Sequence, residues 1–212
     1  MVKSPDIIFK YFSDLSDLQK DRIKQLGPFY REWNSKINMI SRKDIDSLYH
    51  KHILHSLSIA KFLKFADGTT ILDLGTGGGL PGIPLAILFP EVQFLMVDGR
   101  SKKIGVVQEL ITELGLSNAM ALHKRAEELK MQFDFVLARA VTRLDKLLEF
   151  SLPLIHHENR NILPNGLITL KGGDLREEIK EVSEYHAVEE AKVHNLIPEE
   201  AFEDKSILYV QA

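Results

Sequence analysis

The chain has 212 residues, 44% of them apolar and 27% charged, the balance of an ordinary globular protein built as one domain with an appendage or as two small ones. It contains no cysteine, which excludes disulfides, thiolate metal sites and cysteine nucleophiles and fits a reducing compartment. A formal net charge of -3 argues against a general nucleic-acid coat, though not against a local basic face. The opening Met-Val-Lys-Ser-Pro-Asp leads into an amphipathic stretch with no long apolar core and no small-residue cleavage site. No apolar run is long enough to span a bilayer, so a cytoplasmic protein without membrane contact is expected.

From residue 1 to about 66 the chain reads as helix only. Ile8, Phe9, Phe12, Leu15 and Leu18 recur at near-helical spacing, as do Ile23, Leu26, Phe29, Tyr30 and Trp33, with Pro28 after Gly27 placed to break or restart the helix. A third helix is predicted from Lys43 to Phe65, with Ile45, Leu48, Ile53, Leu57, Ile59 and Phe62 inward and Asp44 or Ser41 as its cap. From Thr69 onward short apolar runs alternate with amphipathic segments. The predicted strands are Thr70–Leu74, Gln93–Asp98, Ala119–His123, Phe133–Ala138, Gly166–Lys171 and Ser206–Gln211. The helices between them are Gly82–Phe89, Ser101–Leu114, Arg143–His157 and Asp174–Tyr185. Val188–Val193 reads as a further strand, and Asn195–Asp204 as a loop leading to a last strand at the sheet edge. Near-continuous apolar strands alternating with helices predict an α/β fold, a mostly parallel sheet covered on both faces. The expected organisation is an N-terminal helical region over residues 1–66 and an α/β domain over 67–212.

The most informative stretch is Ile71-Leu72-Asp73-Leu74-Gly75-Thr76-Gly77-Gly78-Gly79-Leu80-Pro81-Gly82, a strand running into glycines with a helix starting near Pro81 or Gly82. Glycines at the end of a first strand let the backbone turn sharply and approach a flat ligand. The window from Gly77 to Gly82 formally matches the dinucleotide pattern G-x-G-x-x-G, so a nicotinamide cofactor has to be weighed. Asp73 two residues before the first glycine, the tighter series Gly75, Gly77, Gly79, and the prolines 81 and 84 at the helix start count against a pyrophosphate. S-adenosylmethionine carries no phosphate, and its ammonium and sulfonium suit an acid near the turn. Asp98 ends the second strand, placed to accept hydrogen bonds from both ribose hydroxyls, or else to cap the helix starting near Ser101. It supports a nucleoside without choosing one. The fold class expected is therefore Rossmann-like, of the class I S-adenosylmethionine-dependent methyltransferases.

The run Ile-Leu-Asp-Leu-Gly-Thr-Gly-Gly-Gly-Leu-Pro-Gly-Ile-Pro-Leu-Ala over residues 71–86 resembles that of the RsmG family, also called glucose-inhibited division protein B. The extension from Leu80 to Pro84 makes the match specific. Trp33-Asn34 with Asn38, Lys51-His52-Ile53-Leu54-His55-Ser56, Asp98 with Lys102-Lys103, Arg125-Ala126-Glu127-Glu128, Ala138-Arg139-Ala140 and Leu170-Lys171-Gly172 resemble further family elements in order and spacing. The resemblance is good over roughly residues 20 to 172 and weak elsewhere. His55 stands where the family usually has Asp, Lys51 where it has Arg, and Gly99-Arg100 replace Ser-Leu after the strand-two acid. The resemblance implies an enzyme that methylates N-7 of a guanine in small-subunit (16S) ribosomal RNA, free or within the subunit, with S-adenosylhomocysteine as the second product.

It also implies site residues. Asp73, Gly75, Gly77, Gly79, Leu80, Asp98, Ala126, Glu127 and Arg139 are the expected cofactor contacts, and Arg139, just beyond a strand end, is the expected residue nearest the reacting groups. Guanine N-7 is a free lone pair, so attack requires no general base, and no catalytic dyad stands out. Lys51, Lys102, Lys103, Arg125, Arg143 and Lys171 are the expected RNA-facing cations. Trp33 with Asn34 and Asn38 could stack on and read RNA, but the expectation is a core tryptophan with Asn34 and Asn38 closing turns, and His52 as a pin between the helical region and the cofactor domain. The histidines 50, 52, 55, 156 and 157 form no ligand set, so no metal is expected. A monomer is expected. The rival readings are a small-molecule methyltransferase, a nucleotide-sensing binding protein and an NAD enzyme.

Overall fold

In the computed structural model, which describes residues 4–212, every predicted strand forms. These are β1 (Thr70–Leu74), β2 (Gln93–Asp98), β3 (Ala119–His123), β4 (Phe135–Arg139), β5 (Gly166–Gly172), β6 (Val188–Lys192) and β7 (Lys205–Gln211). They build one sheet in the order β3-β2-β1-β4-β5-β7-β6, parallel from β3 to β5, with β7 antiparallel to both of its neighbours. The last strand is thus not at the edge, as the sequence suggested. Lys205–Gln211 is buried over most of its length, whereas Val188–Lys192 reads Val-Glu-Glu-Ala-Lys and takes the edge, where charged side chains deter further pairing.

Side chains alternate across a strand, and each face has its own core. Ile71, Phe94, Met96, Phe135, Leu137 and Ile168 join a cluster with α1 (Asp6–Tyr11), α2 (Asp17–Lys36), and the helices α5 (Gly82–Leu88) and α6 (Ser101–Glu113) that follow β1 and β2. Leu72, Val97, Val136, Ala138 and Leu167 face α7 (Leu144–Ser151) and α8 (Arg176–Ser183). Period-two counting along β1 and β4 puts Asp73 and Arg139 on the first of these faces, beneath the N-terminal helices. The predicted Arg143–His157 helix ends early, at Ser151, and a 3-10 turn follows over Leu152–Leu154, because Pro153 has no N–H to continue the ladder. The predicted Asn195–Asp204 loop holds a short helix, α9 (Val193–Leu196), and a 3-10 turn at Glu200–Phe202.

Pro28 neither breaks nor restarts a helix: α2 runs unbroken through it. The region predicted as one regular helix from Lys43 to Phe65 supplies the reason. It is a 3-10 turn (Ile45–Ser47), a π-helical turn (Leu48–Ile53) and two short α segments, α3 (Leu54–Leu57) and α4 (Ile59–Phe62). The π turn sends Tyr49 into the α2 backbone, where its hydroxyl accepts the Gly27 N–H (2.9 Å) and donates to the Lys24 carbonyl (2.8 Å), with the Ile23 carbonyl at 3.0 Å. Lys24 is the acceptor that residue 28 would bond if it were not proline, so the phenol replaces the missing donor. Gly27 makes room: a Cβ there would lie 2.7 Å from the Tyr49 oxygen. Tyr49→Phe strands two buried backbone groups and is expected to lower stability by about 1–3 kcal/mol, read as a reduced urea midpoint at unchanged slope.

Neither cap proposed for the third helix operates. Asp44 caps nothing with its side chain, and its carboxylate instead lies 3.5 Å from Lys51 Nζ and 3.8 Å from His52 Nε2. Trp33 packs against Phe29 with the Lys36 ammonium over its ring, and Asn34 Oδ1 accepts the Met39 and Ile40 N–H groups, so both serve the core.

Candidate functional site

The strand order reverses between β1 and β4, the point at which open α/β sheets form a crevice outside their carboxyl ends. A cleft of about 600 Å³ lies there. Leu74, Gly75, Thr76, Gly77, Gly78 and Leu80 from the turn line it, with Asp98, Ala126, Glu127 and Arg139 and the apolar Val97, Val141 and Phe150. Gly75, Gly77 and Gly79 all adopt positive φ, where side chains are strained. Asp98 organises the near wall: Oδ2 accepts the Gly77 N–H (2.9 Å) and Oδ1 the Arg100 N–H (2.8 Å). Each oxygen keeps a further lone pair for a diol.

Two of the expected cofactor contacts stand back from the cleft. Gly79 does not line it, and a Cβ there would meet Ile83 Cγ1 at 2.8 Å. Asp73 is fully buried under the turn, where Oδ2 accepts from the Thr76 hydroxyl (2.6 Å) and from the Gly82 N–H (2.8 Å), while Oδ1 has no hydrogen-bond partner. Its carboxylate closes the glycine loop onto the start of α5. Burial raises its pKa from 3.8 to about 6, against the lowering effect of those two hydrogen bonds. A raised carboxyl pKa contributes stability that is complete below pH 3.8 and is lost as pH rises through about 6. Asp73→Asn removes that loss, so the stability of the variant relative to wild type is expected to grow by about 2 kcal/mol between pH 4 and pH 8. Urea unfolding at both pH values measures it.

Two residues far ahead of the turn in the chain, Tyr30 and Met39, pack against it, and sequence reasoning missed this. Tyr30 donates to the Gly78 carbonyl (2.6 Å) from a fully buried position, and burial raises its pKa. Met39 lines the cleft, its carbonyl so close to Gly78 that a Cβ would approach within 2.8 Å. Nothing in the spacing of either residue signals such contacts, which cross 39 to 48 positions of chain.

Arg139 lies at the wall between this cleft and a second one, of about 850 Å³, which is bounded by Lys51, His52 and His55, by the end of β5, and by the Glu200–Lys205 segment. Arg139 and Ala140 line both. The guanidinium donates to the His52 carbonyl (3.5 Å) and to His52 Nδ1 (3.2 Å), and no carboxylate comes within ion-pair distance among the described residues. His52 thus pins the helical region to the end of β4. Accepting at Nδ1 leaves its proton on Nε2, and burial with the neighbouring Arg139 lowers its pKa to about 4. Burial also lowers the Arg139 pKa.

The six expected RNA-facing cations divide. Lys103 and Arg125 line the first cleft beside Arg100 and Lys124, and burial lowers the Lys103 pKa, with Arg100 adding repulsion. Lys51 and Lys171 line the second. Lys171 is nearly buried between Glu178 and the Thr142 carbonyl (2.8 Å). Arg143 pairs with Glu181 and Asp145 and lines neither cleft, nor does Lys102, which is exposed. Around Arg125 the chain makes a capped turn, yet Glu128, not Glu127, accepts the Arg125 N–H (2.6 Å), which leaves Glu127 to the cleft. Among the described residues no helix is long and apolar enough to cross a membrane. None of their His, Asp or Glu side chains form a group of three or more placed to hold a metal.

Residues 19–206 match the family described as rRNA small subunit methyltransferase G. Relatives bearing the name ribosomal RNA small subunit methyltransferase G include one from Flavobacterium johnsoniae, 49% identical over 205 residues, and one from Phocaeicola vulgatus, 50% identical over 205 residues. Each alignment covers 97% of this chain and 97% of the relative. Among solved structures, a precorrin-6y C5,15-methyltransferase from Geobacter metallireducens superposes with TM-score 0.56 at 12% identity, over 83% of this chain and 92% of that one. A SAM-dependent methyltransferase from Aquifex aeolicus gives 0.54 at 16% identity, over 73% and 88%. At such identities the likeness is one of fold, and it is the class I methyltransferase fold.

Proposed function

The chain belongs to the rRNA small subunit methyltransferase G family, and from that premise we propose that it transfers a methyl group from S-adenosylmethionine to N-7 of a guanine in small-subunit (16S) ribosomal RNA. The observation that carries the reading is the meeting of two clefts at Arg139, one shaped for a nucleoside and one open beside it for an acceptor. The donor set fits S-adenosylmethionine. Asp98 suits the ribose hydroxyls, Val97, Ala126 and Phe150 supply apolar surface for the adenine, and the turn from Gly75 to Gly78 supplies backbone groups to the amino-acid portion. The anionic carboxylate has Lys103 and Arg139 within the same cleft. S-adenosylmethionine supplies an already activated methyl group, so the protein's part is position and field.

The chain's own residues then do three things. The Asp73 clamp and the positive-φ glycines fix the turn against which the donor lies. Val141 and Phe150 give the first cleft apolar lining. Arg139 presents its unused N–H groups to both clefts, suited to a phosphate, to guanine O-6 or to the donor's carboxylate. It does not suit N-7 itself, since a cation there would compete for the lone pair and oppose the positive product. The exposed rim cations Arg100 and Lys124, with Arg125, give the RNA backbone its approach. Mapping 7-methylguanine in 16S RNA from strains with and without the gene tests the reading: the modification should vanish on deletion and return with the wild-type chain. Unchanged 7-methylguanine on deletion would overturn it.

A further inference from the structure

We propose that the second cleft is the pocket for the acceptor guanine, taken as an unstacked base, and that His55 hydrogen-bonds that base through Nε2. The proposal rests on the reading of the first cleft as the methyl-donor site. Guanine N-7 faces the major groove, which in A-form RNA is too deep and narrow for side chains, so the base is reached only where it is unstacked, in a loop or out of a helix. Among the described residues the linings of the two clefts share Arg139 and Ala140, so a base held in the second adjoins the first there.

His55 is 7% exposed and lines the second cleft. Its ring stacks on the buried Phe202 with centroids 5.6 Å apart and planes 28° from parallel. Its buried Nε2, like that of His52 in the same cleft, has no hydrogen-bond partner among the described residues. An orphaned buried nitrogen is costly unless a ligand satisfies it. Burial, reinforced by Arg139, Lys205 and His52 against the weaker opposing pull of Asp204, lowers its pKa to about 3, so the imidazole is neutral. Neutrality suits the chemistry, because methylation leaves a positive charge on the base.

The charges of the cleft favour a base over a free anion. Lys51 is balanced by Asp44 (3.5 Å), Lys171 by Glu178 (2.9 Å) and Lys205 by Asp204 (2.8 Å). Asp174 is paired with Arg176, which leaves Arg139 and Glu200 as the charged lining residues without an ion pair among the described residues. A lining with one such donor group and one such acceptor group matches guanine, which presents O-6 as an acceptor and N-1–H and the 2-amino group as donors. A phosphate has only acceptors.

The test uses the full chain saturated with S-adenosylhomocysteine and labelled with ¹⁵N-histidine. Guanosine 5′-monophosphate and 7-methylguanosine 5′-monophosphate are expected to shift the imidazole resonances of His55, assigned by their loss in His55→Phe. Adenosine 5′-monophosphate is expected to do so more weakly and inorganic phosphate not at all. Silence at His55 with every nucleotide, or an equal response to phosphate, overturns the proposal. In parallel, His55→Phe keeps the stacked ring and removes the nitrogen. It is expected to cut kcat/KM for RNA roughly tenfold, the worth of about one hydrogen bond, with S-adenosylhomocysteine affinity within about twofold of wild type. His55→Gln should recover part of that loss, and unchanged kcat/KM in His55→Phe counts against the pocket. Wild-type protein that moves His55 with guanine nucleotides yet methylates no ribosomal RNA refutes the proposed function and leaves the pocket standing. Protein that methylates ribosomal RNA with His55 silent does the reverse.

Discussion

Arg139→Met is expected to lower kcat/KM for methyl transfer to ribosomal RNA by roughly 100-fold, the value of charge-assisted hydrogen bonds of about 1.5–3 kcal/mol, while the protein stays at least as stable as wild type. The two halves of this result belong together. Arg139 holds a guanidinium in a largely enclosed wall with, among the described residues, two long contacts to His52 and no carboxylate at ion-pair distance. Burying such a charge costs folding free energy, and an apolar side chain of similar length removes the cost. A residue retained at the expense of stability and facing two clefts points to a ligand-binding duty, the trade expected where a site is built for something other than the fold. If Arg139 served chiefly to hold His52 in place, thermal unfolding would show the opposite pattern, a lowered Tm with activity falling only in proportion to the unfolded fraction. Arg139→Lys separates charge from shape. A lysine restores a point charge but not a planar fork able to reach His52 and a ligand together, so it should recover about tenfold of the loss and no more.

What was legible in the sequence was local or periodic. Each parallel strand is a short apolar run with helix-period segments between, and β1 to β3 occupy the spans that their residues predict to the position. The glycine series, the strand-end Asp98 and the placement of Arg139 at the end of its strand belong to the same class, although Arg139 is the last residue of β4 and not, as expected, the first beyond it. What was not legible depends on partners far away. Pro28 reads as a breaker until Tyr49 arrives 21 positions later to supply the missing donor. Asp73 reads as an acid offered to a cationic ligand, since nothing local shows that Thr76 and Gly82 take up one oxygen while the other is sealed beneath the N-terminal helices. Lys171 and Arg143 read as free cations until α8 brings Glu178 and Glu181 beside them. His55 stood out only as a departure from the family pattern. Its meaning came with Phe202, which lies beyond the segment where the resemblance is good.

The glycine turn gives the second large effect. Gly75→Leu is expected to abolish measurable binding of S-adenosylhomocysteine, a loss of more than about 100-fold by calorimetry. Gly75 sits at φ +67°, where a side chain costs about 1–3 kcal/mol of backbone strain, and its Cβ would lie 2.8 Å from Val141 Cγ2, which packs directly on it. A leucine there has to displace Val141 or the turn itself, and both line the first cleft. Gly78→Ala shares the crowding but not the dihedral: its Cβ would meet the Met39 carbonyl at 2.8 Å from an ordinary backbone conformation, so its effect reports how firmly the N-terminal region is held over the turn. Gly105→Ala controls for composition. It lies inside α6 with nothing within 4 Å of the added carbon, so it should leave binding unchanged and raise stability by about 1 kcal/mol. Were Gly75→Leu to bind like wild type while Gly78→Ala did not, the donor would have to lie on the Met39 side of the turn, and Asp98 and Ala126 would lose their assigned place at the ribose and adenine.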